Sequence, residues 1–472
     1  MKSSTLDPGI REVFIEIVGR KNSITEPDGM VDYSHDEFSL RDIGRMPELV
    51  LKPQSSFQVA AILEVADRER IPVTPRGGAT GLCGGCVPAP GGIVLSLERM
   101  NRVLEIDIAN QMAVVEAGLT LGQFEQAVED AGFYFPPHPG DESAMIGGMI
   151  ATNAGGSRAV KYGVLRNYVR GLEIVTAQGD ILDLGGKLIK NSTGYNLLHL
   201  MIGSEGTLAI VTKAVIQFLA KPPMTRSLIV PFDELDAAIE TVPLLLKNIL
   251  PIALEFMPCD VIMISADRLR KSWPCSLGET HLLIILDAAD EDEMDRLSQS
   301  AAAIALDHGA LDVFIADTPK KQADVLDIRS KIYEAIKQDT IEILDVCVPR
   351  GQIAAHVKRV RAIAAKYGLW LPTFGHAGDG NVHTHIMKAR CENGRIVPVP
   401  ESEWRGAFDK IREEIYEDGL ARGGVISGEH GIGLVKKKYL SRSLSPEHIG
   451  LMRGIKRAFD PNGILNPGKI FD

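Results

Sequence analysis

Long apolar runs are missing from this chain. The longest, such as Leu282-Leu-Ile-Ile-Leu286, have the length of a strand, far short of the roughly 20 residues that span a bilayer. The opening Met1-Lys-Ser-Ser-Thr-Leu-Asp-Pro carries no hydrophobic region and no small-residue cleavage site, so no secretory leader is expected. The cytoplasm is the expected compartment, with peripheral membrane attachment through a partner left open. Cysteine is scarce: six in 472 residues do not make a disulfide framework. Cys83-Gly-Gly-Cys86 is a lone pair, and Cys259, Cys275, Cys347 and Cys391 supply no second pair for a zinc ribbon. It reads as small side chains in a tight turn. Positive charge is in deficit, with 51 Lys and Arg against 62 Asp and Glu, a net −11. That excludes broad binding to nucleic acid or to an anionic membrane. The one basic run, Lys436-Lys-Lys438, reads as a solvated helix face. The two standard nucleotide fingerprints are also lacking. No Gly-x-Gly-x-x-Gly lies between a strand and a helix. Gly463-Ile-Leu-Asn-Pro-Gly-Lys469 imitates a phosphate loop, but Ile470 replaces the required hydroxyl and no helix can follow.

What is present is enough chain for two or three domains, because a single core rarely grows past about 250–300 residues. Ser55 and Ser56 cap an amphipathic helix from Phe57. Ile71 to Pro75, Ile93 to Leu97, Met112 to Glu116, Gly171 to Ala177, and Leu208 to Phe218 read as strands. Thr120-Leu-Gly-Gln123 is a capping box for a helix stopping at Gly132. Lys221-Pro-Pro223 reads as a linker. Beyond it, strands at Ala253 and Leu282 alternate with helices at Leu235–Leu246, Glu291–His308, Ile353–Tyr367 and Glu403–Leu420. The pattern predicts an α+β protein whose second part is a sheet with helices on one face.

Two sets of residues carry chemistry. The first is three small-residue segments: Pro75-Arg-Gly-Gly-Ala-Thr-Gly81, Ile146 to Gly156, and Gly203-Ser-Glu-Gly-Thr-Leu208. Successive backbone N–H groups with no side chain in the way suit a pyrophosphate. Small residues let a flat ring approach the backbone. Three such segments in one domain point to one large cofactor, although tight turns alone would also produce glycine. The second set is Phe374-Gly-His-Ala-Gly-Asp-Gly-Asn-Val-His-Thr-His385 with Ser427-Gly-Glu-His-Gly431. It holds four of the eleven histidines. His376, His383 and Glu429 make a three-ligand set that leaves a metal open for catalysis. His430 is a spare base. The competing reading is a structural cluster of satisfied imidazoles. On a strand, His385 faces the same side as His383.

In this order, Arg76 to Gly81, Gly147 to Gly156, Gly203 to Thr207, Gly375 to His383, Gly428 to Gly431 and Asp460 to Lys469 resemble the FAD-linked D-2-hydroxy-acid dehydrogenase family. That group holds the glycolate oxidase D subunit, D-lactate dehydrogenase and D-2-hydroxyglutarate dehydrogenase, among the vanillyl-alcohol-oxidase-type flavoproteins. The resemblance covers nearly the whole chain.

It implies a two-part FAD-binding domain at 1–222, a cap domain with an antiparallel sheet, carrying substrate and metal, at 223–425, and a segment at 426–472 returning to the FAD domain. Non-covalent FAD would be held by Pro75, Arg76, Gly77, Gly78, Ala79, Thr80 and Gly81 at the pyrophosphate. Gly147, Gly148, Ala151, Asn153 and Gly156 would line the flavin, Gly206 and Ile210 the adenosine side, and Asn466 the ring. His376, His383 and Glu429 would bind a divalent metal, zinc first, with iron and manganese open. His430 would be the base and Arg329 the grip on the substrate carboxylate. Tyr333, Ile343 and His385 would line the substrate.

Relatives acting on 2-hydroxyglutarate carry a lysine where Ile343 stands and an asparagine where His385 stands. Arg350, an odd number of residues from Ile343 along a strand, would point away. The implied reaction is therefore metal-assisted oxidation of D-lactate or glycolate to the 2-oxo acid. Electrons would go to a separate acceptor, a protein or a quinone. The alternatives are a D-2-hydroxyglutarate dehydrogenase, a non-catalytic FAD-binding subunit of a larger oxidase, and a non-redox flavoenzyme of ether-lipid synthesis. Homodimer and hetero-complex both stay open.

Overall fold

Three large sheets, each with its own core, organise the protein in this computed structural model, which describes residues 6–471 apart from Ser39, Ala89, Asp317 and Asn393. The first sheet has four short strands in the order Ser23–Ile24, Leu49–Leu51, Ile93–Ser96, Val73–Arg76. Its last three strands run parallel and the first is antiparallel to its neighbour, and the helices Pro8–Val18 and Ser56–Glu69 pack on it. Ser55 caps the second helix by accepting from the Gln58 N–H, which answers a donor the helix start leaves free. The second sheet is antiparallel, in the order Val103–Asp107, Met112–Glu116, Ile210–Gln217, Val169–Val175, Ile181–Gly185. Its connecting helix Leu121–Asp130 starts from the expected capping box at Thr120 and Gln123.

The third sheet is fully antiparallel, with seven strands in the order Phe314–Ala316, Met224–Phe232, Thr280–Ala288, Ala253–Pro258, Thr373–His376, Asn381–Met387, Thr340–Cys347. Leu235–Asn248, Glu291–Asp307, Ile353–Tyr367 and Glu401–Ala421 cover one face. The expectation of helices on one face alone needs correcting. Cys259–Leu269, Pro319–Ser330 and Ile332–Ile336 pack on the other, around Phe374, Met387 and Leu283. These strands are apolar on both faces at their covered ends, so period-two alternation was lost there. The C-terminal segment returns to the first sheet, where Val73 N–H donates to Ile464 and Asn466 N–H to Val73.

The basic run is a second correction. Lys436 is 1% exposed, with Nζ 3.0 Å from Ser427 Oγ and 3.6 Å from Asp345. Lys438 does reach outward, to Asp409. Lys469 of the imitation phosphate loop donates to the Val87 carbonyl and to Asn466, a structural use. No helix among the described residues is long and apolar enough to cross a membrane.

Candidate active site

The small-residue segments converge on one cleft. Pro75, Arg76, Gly77, Gly78, Ala79, Thr80, Gly81, Gly147, Gly148, Ala151, Gly206, Ile210 and Asn466 all line it. Among the described residues, no hydrogen bond uses the backbone N–H of any residue from Gly77 to Cys83. A run of unspent donors on a cleft wall is what a pyrophosphate needs. The Arg76 guanidinium is committed elsewhere. It donates to the His35 and Asp32 carbonyls, touches Cys86 Sγ and lies over the Tyr33 ring. Anion binding on this loop therefore falls to its backbone. Asn466 donates to the Gly85 and Glu205 carbonyls, tying three cleft walls together. Cys83 and Cys86 are free thiols in the wall, and burial pushes Cys86 up to about 11, so neither is poised as a nucleophile.

Two expected flavin contacts are not on the cleft. Asn153 ends the helix Ile146–Thr152 in a left-handed conformation, and its side chain accepts from Arg166 N–H. Gly156 turns at φ 117°, where a Cβ would meet the His138 carbonyl at 2.1 Å. The neighbour Gly155 lines the cleft instead, and a Cβ there would lie 2.6 Å from Glu429 Oε2.

Glu429 and His430 also line this cleft, and they lead to the second site. Thr373–His376 and Asn381–Met387 form a hairpin in which His383 pairs with Phe374 and His376 with Asn381. The tight turn between them brings the two imidazoles together. His376 Nε2 lies 3.4 Å from His383 Nε2. Glu429 Oε1 lies 3.4 Å from His383 Nε2 and 3.7 Å from His376 Nε2. Ligand bonds of about 2.1 Å in a tetrahedron set edges near 3.4 Å, so these three atoms fit a metal. A wider set of Asp345, His383, Glu429 and His430 offers ligand atoms within 4.8 Å. It is the weaker cage, because Asp345 Oδ2 already accepts from Glu429 N–H, His430 N–H and Ser427 Oγ.

Carboxylates stand behind the imidazoles. Glu255 Oε1 accepts from His376 Nδ1 at 2.7 Å, which leaves Nε2 facing the ligand set. Glu255 Oε2 takes Nε and Nη2 of Arg329. Burial alone would raise the Glu255 carboxyl, but the His376 and Arg329 charges hold it below the usual range. The Arg329 fork is therefore partly spent, with Nη1 left out of the Glu255 pair. The His430 ring stacks on His383 at 5.4 Å, and burial pushes it down to about 4, so it is neutral at pH 7. His385 stacks on Phe374 at 5.0 Å and faces Tyr333 at 5.9 Å. Burial holds it well below the usual histidine range. Ile343 pairs with His385 across the strands and is buried. Arg329, Tyr333, Ile343 and His385 do not line the cleft; Ile343 and His385 share the sheet face of His383, and Arg329 and Tyr333 lie on the helices packed against that face. The strand with Ile343 stops at Cys347, and Arg350 sits in a separate turn after Pro349, so the parity argument for Arg350 does not apply. Arg350 is exposed.

Sequence reading missed Glu255, Asp345, Ser427, Lys436 and Gly155. For the first two a signal existed, a lone carboxylate inside Ala253-Leu-Glu-Phe-Met and another inside Ile343-Leu-Asp-Val, where an unpaired charge would be costly.

Known proteins bear on this geometry. The family described as FAD linked oxidases, C-terminal domain, matches residues 221–470, and FAD binding domain matches residues 47–185. A D-lactate dehydrogenase of Archaeoglobus fulgidus is 46% identical over 89% of this chain and 91% of its own. Glycolate oxidase subunit GlcD of Bacillus subtilis is 37% identical over 98% of this chain and 96% of its own. The p-cresol methylhydroxylase structure superposes with a TM-score of 0.79 at 19% identity, over 99% of this chain and 98% of that one, which shows a shared fold. With an FAD-binding domain, a matching C-terminal domain and relatives that align nearly end to end, this chain belongs to the FAD-linked oxidases and is a flavin-dependent oxidoreductase.

Proposed function

We propose that this enzyme oxidises a short D-2-hydroxy acid, D-lactate or glycolate, to the 2-oxo acid, with non-covalent FAD in the cleft and a divalent metal on His376, His383 and Glu429. One observation carries the reading: Glu429 and His430 sit on the wall of the cofactor cleft while Glu429 Oε1 faces both imidazoles. A substrate held at these three residues would thereby lie beside the cleft that would hold FAD. The likeness to relatives named for D-lactate and glycolate supports the substrate class.

When bound, FAD accepts a hydride, and the metal, zinc first with iron or manganese also suited to these ligands, lowers the pKa of a hydroxyl. The chain supplies the rest. Arg329 grips the substrate carboxylate through Nη1, a single contact and not a full fork, because Glu255 holds its other edge. His430, neutral and on the cleft wall, takes the hydroxyl proton. The C2 hydrogen would leave as hydride to the bound FAD, whose electrons would go to a separate acceptor, a protein or a quinone. Ile343 and His385 close the far end with one apolar and one uncharged group. A second carboxylate there would be buried unpaired, at a cost of several kcal/mol. This disfavours D-2-hydroxyglutarate.

The test is anaerobic stopped-flow reduction of the FAD-loaded enzyme by D-lactate, glycolate, L-lactate and D-2-hydroxyglutarate. A short D-acid should reduce the flavin at least about tenfold more efficiently than the diacid, or roughly 1.4 kcal/mol. Preference for the diacid overturns the substrate reading. Absence of reduction by all four overturns the oxidation.

A further inference from the structure

The His383 and His430 rings stand stacked at 5.4 Å. Behind both lies Asp345, fully buried in the strand Thr340–Cys347. Its Oδ2 accepts from Glu429 N–H at 2.9 Å and from His430 N–H at 2.8 Å. Ser427 Oγ adds a third contact at 2.9 Å. One carboxylate oxygen thus fixes the backbone of a metal ligand and of the base together. Lys436, also buried, stands 3.6 Å away and offsets the charge.

The imidazoles show a second pattern. His383 Nδ1 lies 3.8 Å from Asp345 Oδ1, and His430 Nδ1 lies 3.9 Å from Oδ2. Asp345 Oδ1 and both Nδ1 atoms are buried, and none has a hydrogen-bond partner among the described residues. Buried polar atoms almost always find a partner. A carboxylate only accepts, so whatever meets it from these rings must be N–H. The gaps are too long for a direct bond. They suit a small side-chain shift or one bridging water with these three polar neighbours. His376 gives the precedent within the same site, since its Nδ1 already donates to a buried carboxylate, Glu255.

We infer that Asp345 is a positioning residue, a single carboxylate that sets the pose and the tautomer of both His383 and His430. With the proton kept on Nδ1, Nε2 is bare on both rings. On His383 that atom faces His376 and Glu429. On His430 a bare Nε2 is the acceptor a general base requires. The role in turnover rests on the oxidation proposed above; the tautomers do not.

The experiment uses the FAD-loaded full chain labelled with 15N-histidine, without added metal or substrate. His383→Gln and His430→Gln assign the two rings. The nitrogen shifts should show Nδ1–H on both in the native protein. Asp345→Asn keeps the size, and because the Oδ2 place must stay an acceptor for the two backbone N–H groups, its amide takes the Oδ1 place facing His383, so at least His383 should switch to Nε2–H. Flavin reduction by D-lactate should then fall about 10–100-fold, as when the support of a metal-ligating histidine is lost, with FAD content retained. Native rings carrying Nε2–H overturn the inference, and this measurement stands even if Asp345→Asn does not fold. Unchanged tautomers in a folded Asp345→Asn also overturn it. A native enzyme with the expected tautomers that no 2-hydroxy acid reduces breaks the oxidation reading and leaves the role of Asp345 in place.

Discussion

The cofactor cleft and the histidine site touch at Glu429, yet they are built on opposite principles. The cleft is walled by backbone: open N–H groups from Gly77 to Cys83, small residues from Gly147 to Gly155, and an arginine turned away from it. The histidine site is made of side chains on a rigid sheet, each imposed by another. Glu255 holds His376 and Arg329, and Asp345 holds the Glu429–His430 backbone. A backbone site tolerates many side-chain changes and fails when a Cβ intrudes. A side-chain site fails when one charge is lost, because the partner is left buried and unpaired. Single substitutions should therefore cost most on the cap sheet and least at cleft side chains.

The largest effect is expected at His430. His430→Ala should slow flavin reduction by about 10²–10⁴-fold, while the flavin spectrum and bound metal stay near native, because the ring is not among the three proposed ligands His376, His383 and Glu429. Rapid-mixing absorbance at the flavin band measures it. A native reduction rate would remove His430 from the reaction and leave the cap site as a metal-holding structure.

Glu255→Gln comes next. The amide cannot neutralise both His376 and Arg329, and supporting groups of this kind change metal affinity or activity by about 10–100-fold. Metal titration of chelator-stripped protein should show the loss, with a lower melting temperature from the unpaired Arg329. Equal metal affinity in Glu255→Gln would mean that His376 is held by the hairpin alone.

Legibility in the sequence followed the same division. The cleft was readable because its requirement, a run of small residues, is local: Arg76 to Gly81 and Gly147 to Gly148 line its wall. Asn153 and Gly156 lie off the cleft wall, because small residues also end helices and turn chains, and the sequence does not say which use applies. His376, His383 and Glu429 stood out by residue type; hairpin register brings the two imidazoles together, and the bridge from Asp345 to Ser427 brings Glu429 beside them. Their supports were not, since Glu255 meets Arg329 across 74 positions and Asp345 meets Glu429 across 84. Lys436 looked solvated for a related reason: its anion lies on a strand far back in the chain. The second layer of helices on the cap sheet was hidden by strands apolar on both faces.

Gly155→Ala tests the seam between the two regions. Its Cβ would fall 2.6 Å from Glu429 Oε2, so the carboxylate must swing or the loop must move. We expect metal affinity to drop about tenfold, within the range for disturbed ligand support, with FAD affinity less affected. A loss of FAD with metal binding intact would show that the loop yields and the carboxylate does not.

The smallest effect is expected at Arg76, and it is the sharpest test of a backbone-built cleft. Family resemblance makes this side chain a natural partner for a pyrophosphate. Its guanidinium is instead spent on the His35 and Asp32 carbonyls and on the Tyr33 ring. Arg76→Ala removes those contacts, and losing such hydrogen bonds to a charged group costs about 1.5–3 kcal/mol each at most. That loss should appear in the melting temperature, because it loosens the 32–35 segment. FAD affinity should change by less than about tenfold, or 1.4 kcal/mol, since the N–H groups from Gly77 onward remain. Titrating FAD into stripped protein gives the number. A hundredfold loss of affinity at unchanged melting temperature would mean that the guanidinium turns inward when the cofactor binds, and that the cleft, like the cap site, depends on a side-chain charge.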